Sequence, residues 1–298
     1  MDIIFPKKLT SNKRGIEYIS YLWGVCKSNK NSLIVWDLSR TKLVHTNLLS
    51  AIGLILKRVS NHNKIILKLK NKDNCVMEIN NNIIANIFHK YSFDHREGLR
   101  YVYFNFERGD SKQVEELLID KFRELNLKSY RELKVILSEM TANIYMHAKP
   151  SEGSICSYIN SKDNKLYISI CNFGKTIKQN ICDQSEYDFN TDGQAILWAL
   201  RKLNTTRKGY TSGGLGLYLL RKHISNLDGE IEIVSGKSMI KLKENMYSEN
   251  DVNNFSYEHQ EMKSFFTGVI ITIKIDYIVE QYTTFDNIIT EKISLNDI

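Results

Sequence analysis

The stretch ELKVILSEMTANIYMHAKP, residues 132–150, has an apolar helical pattern interrupted by Glu139, Asn143 and His147 at four-residue intervals. Residues four apart stack on one face of a helix with a drift of about 40° per step, so the three groups form a single polar ridge. The helix is expected to end at Pro150, because the residue before a proline resists helical geometry. An acid, an amide and an imidazole aligned on an otherwise buried helix call for a polar partner elsewhere in the chain.

The whole chain of 298 residues around it is 42% hydrophobic and 25% charged, the composition of a globular protein with room for one large or two ordinary domains. No window approaches the ~20 apolar residues of a membrane span, and MDIIFPKKLTSNKRG lacks the apolar middle of a secretory signal, so a cytoplasmic protein without membrane contact is expected. Five cysteines, Cys26, Cys75, Cys156, Cys171 and Cys182, are scattered and form no CxxC pair, which points to reduced thiols rather than a disulfide framework or a zinc cluster. The net charge of +7 is uneven: residues 1–110 carry 18 Lys+Arg against 9 Asp+Glu, and the remainder 23 against 25. These basic residues are dispersed, a pattern of solvated surface more than of a nucleic-acid footprint.

Residues 31–110 alternate strand-like pieces (NSLIVWDLS, KIILKLK, RYVYFNF) with helix-like ones (NLLSAIGLILKRVS, NNIIANIFHKYS), the pattern of a small α/β domain. ERGDSK, residues 107–112, is the expected junction, with Ser111 capping a helix at QVEELLIDKF. Beyond the opening helix, GSICSYI and KLYISICNFG predict a hairpin across the turn NSKDN. AILWALRKLNTT predicts a helix, GEIEIVS and FTGVIITIKI predict strands, and residues 244–264 read as polar and without regular structure.

SGGLGLYLL, residues 212–220, places Gly213, Gly214 and Gly216 ahead of an apolar helix. Glycines there let backbone approach an anion, and free amides at a helix start attract phosphate. An ordinary flexible loop is the competing account.

Taken together, ExxxNxxxH, a strand ending in a glycine turn, and GGLGL opening a helix resemble the GHKL ATP-binding fold of histidine kinases, anti-sigma-factor kinases, MutL-type repair proteins and gyrase. The resemblance covers roughly residues 112–275. It implies an α+β fold: a two-layer sandwich with a mixed, mostly antiparallel sheet, at 111–276, preceded by a small α/β domain at 1–110 and followed by a tail at 277–298. It also implies ATP and Mg²⁺ as cofactors, Glu139 as the catalytic base and Asn143 as the magnesium ligand. A carboxylate suits proton abstraction and an amide oxygen suits Mg²⁺, which takes few protein ligands. His147 would support the phosphates or cap the helix C-terminus. Nucleotide contacts are implied for Gly213, Gly214, Leu215, Gly216 and Leu217, and for Arg207 and Lys208 in a lid resembling that of bacterial stand-alone members.

CNFGKTI, residues 171–177, stands where the family has Asp-x-Gly-x-Gly. Asn172 replaces the adenine-binding Asp, Gly174 is kept, and Thr176 replaces the second Gly. A neutral amide accepts a weaker hydrogen bond than a carboxylate. In the first half, DLSRTKLVHTNLLSAIG is similar to STAS domains, with His45 and Thr46 where those carry a phosphorylatable residue preceded by Asp. The resulting expectation is an ATPase or a nucleotide-dependent switch that binds a protein through its N-terminal domain. The alternatives are a serine/threonine kinase acting on a STAS-type partner and a catalytically lapsed scaffold. A homodimer and a nucleic-acid partner stay open.

Overall fold

The computed structural model describes residues 1–69, 75–76, 96–105, 129–147, 152–160, 163–202, 204, 216–243, 247–248 and 251–278. The architecture is α+β, with two main sheets and six α-helices among the described residues.

The first sheet has the order β1-β3-β5-β6, from β1 (Asp2–Ile4), β3 (Leu33–Asp37), β5 (Lys64–Lys68) and β6 (Cys75–Val76). β1, β3 and β5 are parallel, and β6 returns antiparallel. Helices α1 (Lys13–Ser28) and α2 (Leu49–Ser60) make the crossovers; β2 (Lys8–Leu9) pairs with β4 (Leu43–Val44), which leads into a 3₁₀ turn (Thr46–Leu48) before α2. The α1 helix, whose apolar stripe Ile16, Ile19, Leu22 and Cys26 is buried, was not among the expected elements. Asn12 caps it by accepting from the Gly15 N–H.

The second sheet, β10-β13-β9-β8-β7, is antiparallel at every described pairing. It comprises β7 (Arg96–Asn105), β8 (Glu152–Asn160), β9 (Lys165–Asn172), β10 (Glu230–Leu242) and β13 (Glu258–Asp276). The predicted hairpin is present as β8–β9, with Asn164 at φ 51° in its turn. Residues 100–105 of RYVYFNF, expected with the first domain, lie in β7 and pair with β8. Residues 244–264 depart from expectation: β11 (Tyr247–Ser248), β12 (Asp251–Phe255) and the outer part of β13 are strands. There the pairing of Lys241 with Glu258 and of Met239 with Gln260 builds a polar two-stranded extension, whose charged side chains hide the strand signal. The expected junction at 107–112, the helices expected at 81–92 and 113–122, and the tail beyond 278 lie outside the described residues.

Both faces of the second sheet are covered, and β8 is accordingly buried almost end to end. An antiparallel sheet with one wet face would show alternation instead. One face packs on α3 (Tyr130–His147), α4 (Ile177–Gln184), α5 (Asp192–Ala199) and α6 (Gly216–Asn226) through Ile136, Ile144, Ile155, Ile168, Ile233 and Ile273. The other packs on α1 and α2 through Tyr101, Cys156, Cys171, Phe173, Val234 and Phe266. Here α2 lies close to the strands: a Cβ built on Gly53 would fall 2.3 Å from the Tyr101 ring. No described helix is long and apolar enough to cross a membrane.

Candidate functional site

Helix α3 buries Leu133, Ile136, Leu137, Met140 and Ile144 against the sheet, which turns Glu139 and Asn143 toward the start of α6. A Cβ built on Gly216, the first residue of α6, would lie 3.0 Å from Asn143 Oδ1 and 3.3 Å from Glu139 Oε2. The absent side chain is what brings the α6 N-terminus, with its free amides and partial positive charge, against the ridge. Both ridge residues are half-buried. Asn143 Nδ2 is shut off from solvent with no hydrogen-bond partner among the described residues. A shielded amide in that state costs about 1–3 kcal/mol until something satisfies it.

Leu217 follows on α6 and packs on the helical-side core. His147 ends α3, with its side chain outside the described residues, as are Arg207, Lys208, Gly213, Gly214 and Leu215 altogether.

Asn172 is the last residue of β9 and is 6% exposed. It alternates in phase with Ile168 and Ile170, whose side chains belong to the core under the helices, so it faces the same layer as the ridge. Gly174 follows at φ 150°. Thr176 has a structural task that the second Gly of the family motif could not perform. It is the N-cap of α4, accepting from the Gln179 N–H at 3.2 Å while Gln179 Oε1 accepts from the Thr176 N–H at 2.9 Å. The turn is fastened further by Ser235, whose Oγ accepts from the Ile177 N–H at 3.0 Å and donates to the Gly268 carbonyl at 2.9 Å.

Phe173, one residue after Asn172, points the opposite way, into the first half of the chain. Its ring stacks on Trp23 of α1 at 4.5 Å and 14°. Arg58 of α2 lies 5.4 Å from both rings, donates from Nη2 to the Phe173 carbonyl at 3.4 Å and pairs through Nε with Glu152 Oε1. The other Glu152 oxygen accepts from the Tyr103 hydroxyl at 2.5 Å. Nothing in the periodicity of α1 or α2 announces this cluster; only its position across the sheet from Asn172 does. Arg221 was also missed: it is 2% exposed on α6, with its guanidinium 4.2 Å from the Phe255 ring centroid in a segment expected to lack structure.

A pocket of about 280 Å³ opens between the sheet and the first half, lined in part by His45, Asn47, Glu230, Glu232, Lys241 and Lys274. Burial raises the Glu230 carboxyl, but hydrogen bonds and charge from Lys241 at 2.8 Å and Lys274 at 3.5 Å outweigh it and hold the group below its usual range. Burial pushes the Glu232 carboxyl up against the weaker pull of Lys241, with Ser11 Oγ donating to it at 3.4 Å. Burial likewise pushes the Cys26 thiol up to about 11 and raises that of Cys171, so neither is a nucleophile at neutral pH.

Among the described residues no cluster of three or more His, Cys, Asp or Glu could hold a metal by itself. The ridge fits a different kind of ion: Mg²⁺ takes one or two protein oxygens together with phosphates, and Asn143 Oδ1 is an oxygen of that type, while its unsatisfied Nδ2 is a donor that calls for an acceptor such as a phosphate oxygen. Compared with known proteins, the chain matches no family profile and no curated sequence.

Proposed function

We propose that the protein binds Mg·ATP in the GHKL manner, between the α3 ridge and the start of α6, and that its first half is a STAS-like module. The approach of Gly216 to within contact of both Glu139 and Asn143 carries this proposal, since an acid and an amide are brought to a helix N-terminus that favours phosphate. Asn143 would hold Mg²⁺ through its amide oxygen beside the phosphates, and Asn172, on the same side of the sheet, would accept from the adenine amino group. Glu139 would take a proton from an attacking water. When bound, the ion supplies charge neutralisation to the phosphates.

Calorimetric titration with ATP, with and without magnesium, tests the proposal. The wild-type chain is expected to bind in a magnesium-dependent way, and Asn143→Ala to lose that dependence while unfolding at the same or a higher urea concentration, because an unsatisfied buried amide is removed. No heat in either condition overturns nucleotide binding and favours a scaffold. Phosphate release by the wild-type chain separates hydrolysis from switching, and transfer to a STAS-type protein identifies the kinase.

A further inference from the structure

We propose that Arg58 and Trp23, both in the first half of the chain, hold the Asn172–Gly174 turn in the form that receives the nucleotide base, so that docking of that half is a condition of tight nucleotide binding. The inference rests on the nucleotide reading of the ridge and adds to it a control that comes from the opposite face of the sheet.

Strand alternation supplies the lever. Asn172 and Phe173 are consecutive, yet the first faces the helical layer and the second the first half of the chain, so a displacement of either is a displacement of both. Phe173 is held at two points. Its ring stacks on Trp23 at 4.5 Å and meets the Phe266 ring at 5.5 Å with a tilt of 36°. Its carbonyl accepts from Arg58 at 3.4 Å. Arg58 is itself fixed, because Glu152 on β8 takes its Nε–H and Glu152 is pinned in turn by Tyr103. The pair is shielded, with Arg58 17% and Glu152 11% exposed, and a guanidinium offers the separate donors that two acceptors require. Gly174, at φ 150°, follows at once and supplies no stiffness, so the set of the turn comes from the Phe173 anchor on one side and, on the other, from the Thr176 cap with the Ser235 bonds beside it. Lifting α1 and α2 from the sheet would remove the first anchor and leave the second.

The test compares full-length wild type with Arg58→Lys, Arg58→Met, Trp23→Phe and Trp23→Ala. Lysine keeps the charge opposite Glu152 but has no second planar donor for Phe173, and phenylalanine keeps the stack. Two readouts are taken. Amide exchange of residues 172–176 without nucleotide reports the turn itself. The ratio of affinities for Mg·ATP and Mg·tripolyphosphate isolates the base from the phosphates. Arg58→Lys and Trp23→Ala are expected to speed exchange at the turn, with α3 and α6 unchanged, and to lower the ratio about tenfold, the scale of one hydrogen bond to a charged donor. Trp23→Phe is expected to stay near wild type. Unchanged exchange at 172–176 in both Arg58→Lys and Arg58→Met overturns the clamp. Equal losses for ATP and tripolyphosphate overturn its action on the base. Failure of the wild-type chain to bind either compound overturns the proposed function, and the exchange arm then decides the clamp by itself.

Discussion

Both faces of the second sheet are covered, and they are built of different materials. Under α3, α4, α5 and α6 the sheet presents isoleucine after isoleucine, with the ridge of Glu139 and Asn143 meeting Gly216 at the helical layer. Under α1 and α2 the same strands present hydroxyls, aromatic rings and charge. Ser169 Oγ donates to the Asn47 carbonyl at 2.8 Å, meets Ser50 Oγ at 3.0 Å and accepts from Thr272 Oγ1 at 3.2 Å. Ser154 donates to the Ser50 carbonyl at 2.5 Å. An aliphatic face is held by area and tolerates many arrangements of similar volume; a hydroxyl face is held by direction and has one good register. The helical layer is therefore the aliphatic core of the second half, whereas the first half docks on it through a seam of hydroxyl bonds set among aromatic and other apolar contacts.

Adjacent residues of β9 test that contrast most directly. Ile168→Ala, on the aliphatic face and fully buried, is expected to cost about 3 kcal/mol in urea unfolding through lost transfer energy and the cavity left behind. Ser169→Ala, one residue on, removes little volume but strips its partners, for an expected loss of about 1–2 kcal/mol. If Ser169→Ala proves as costly as Ile168→Ala, the seam is as much a core as the other face and the contrast fails.

The smallest effect, and the one of opposite sign, is expected at the pocket beside the seam. The raised Glu232 carboxyl binds its proton more tightly in the folded chain. Its contribution is therefore fully present below the ordinary value of about 4.3 and is lost as pH rises through the raised one. Glu232→Gln should leave a protein that melts higher than wild type at pH 8, with the gap closing as pH falls through that window. Glu230, held low by Lys241 and Lys274, has the reverse sign: its contribution is present above about 4.3 and is lost as pH falls through the lowered value. Thermal melts from pH 3 to pH 8 on the two Gln variants check both directions, and parallel pH profiles would refute the assignment.

Much of the second half was legible in the sequence because its signals are local. The four-residue spacing of Glu139 and Asn143 gives a ridge on any helix, and the β8–β9 hairpin follows from its turn; the glycine run marks backbone open to close approach, although the neighbours that Gly216 meets, Asn143 and Glu139, come from the ridge. What stayed hidden depends on partners distant in the chain. Glu258 and Glu261 look like loop residues until their strand pairs with β10. Thr176 reads as a lost glycine until α4 begins after it. Trp23 and Arg58 sit on different helices, and their meeting at Phe173 is set by how α1 and α2 lie across the sheet, which no periodicity encodes. The covering of the second face was not read from SICSYI, whose serines at 154 and 157 look solvent-facing until Ser50 meets the first of them.

The shallow seat of α2 at Gly53 restricts how the two halves can part. With the Tyr101 ring lodged where a methyl group would otherwise stand, the helix is keyed to the sheet like a tenon. Sliding α2 along the strands would drive its backbone against that ring, whereas lifting it away would part Ser50 from both Ser154 and Ser169.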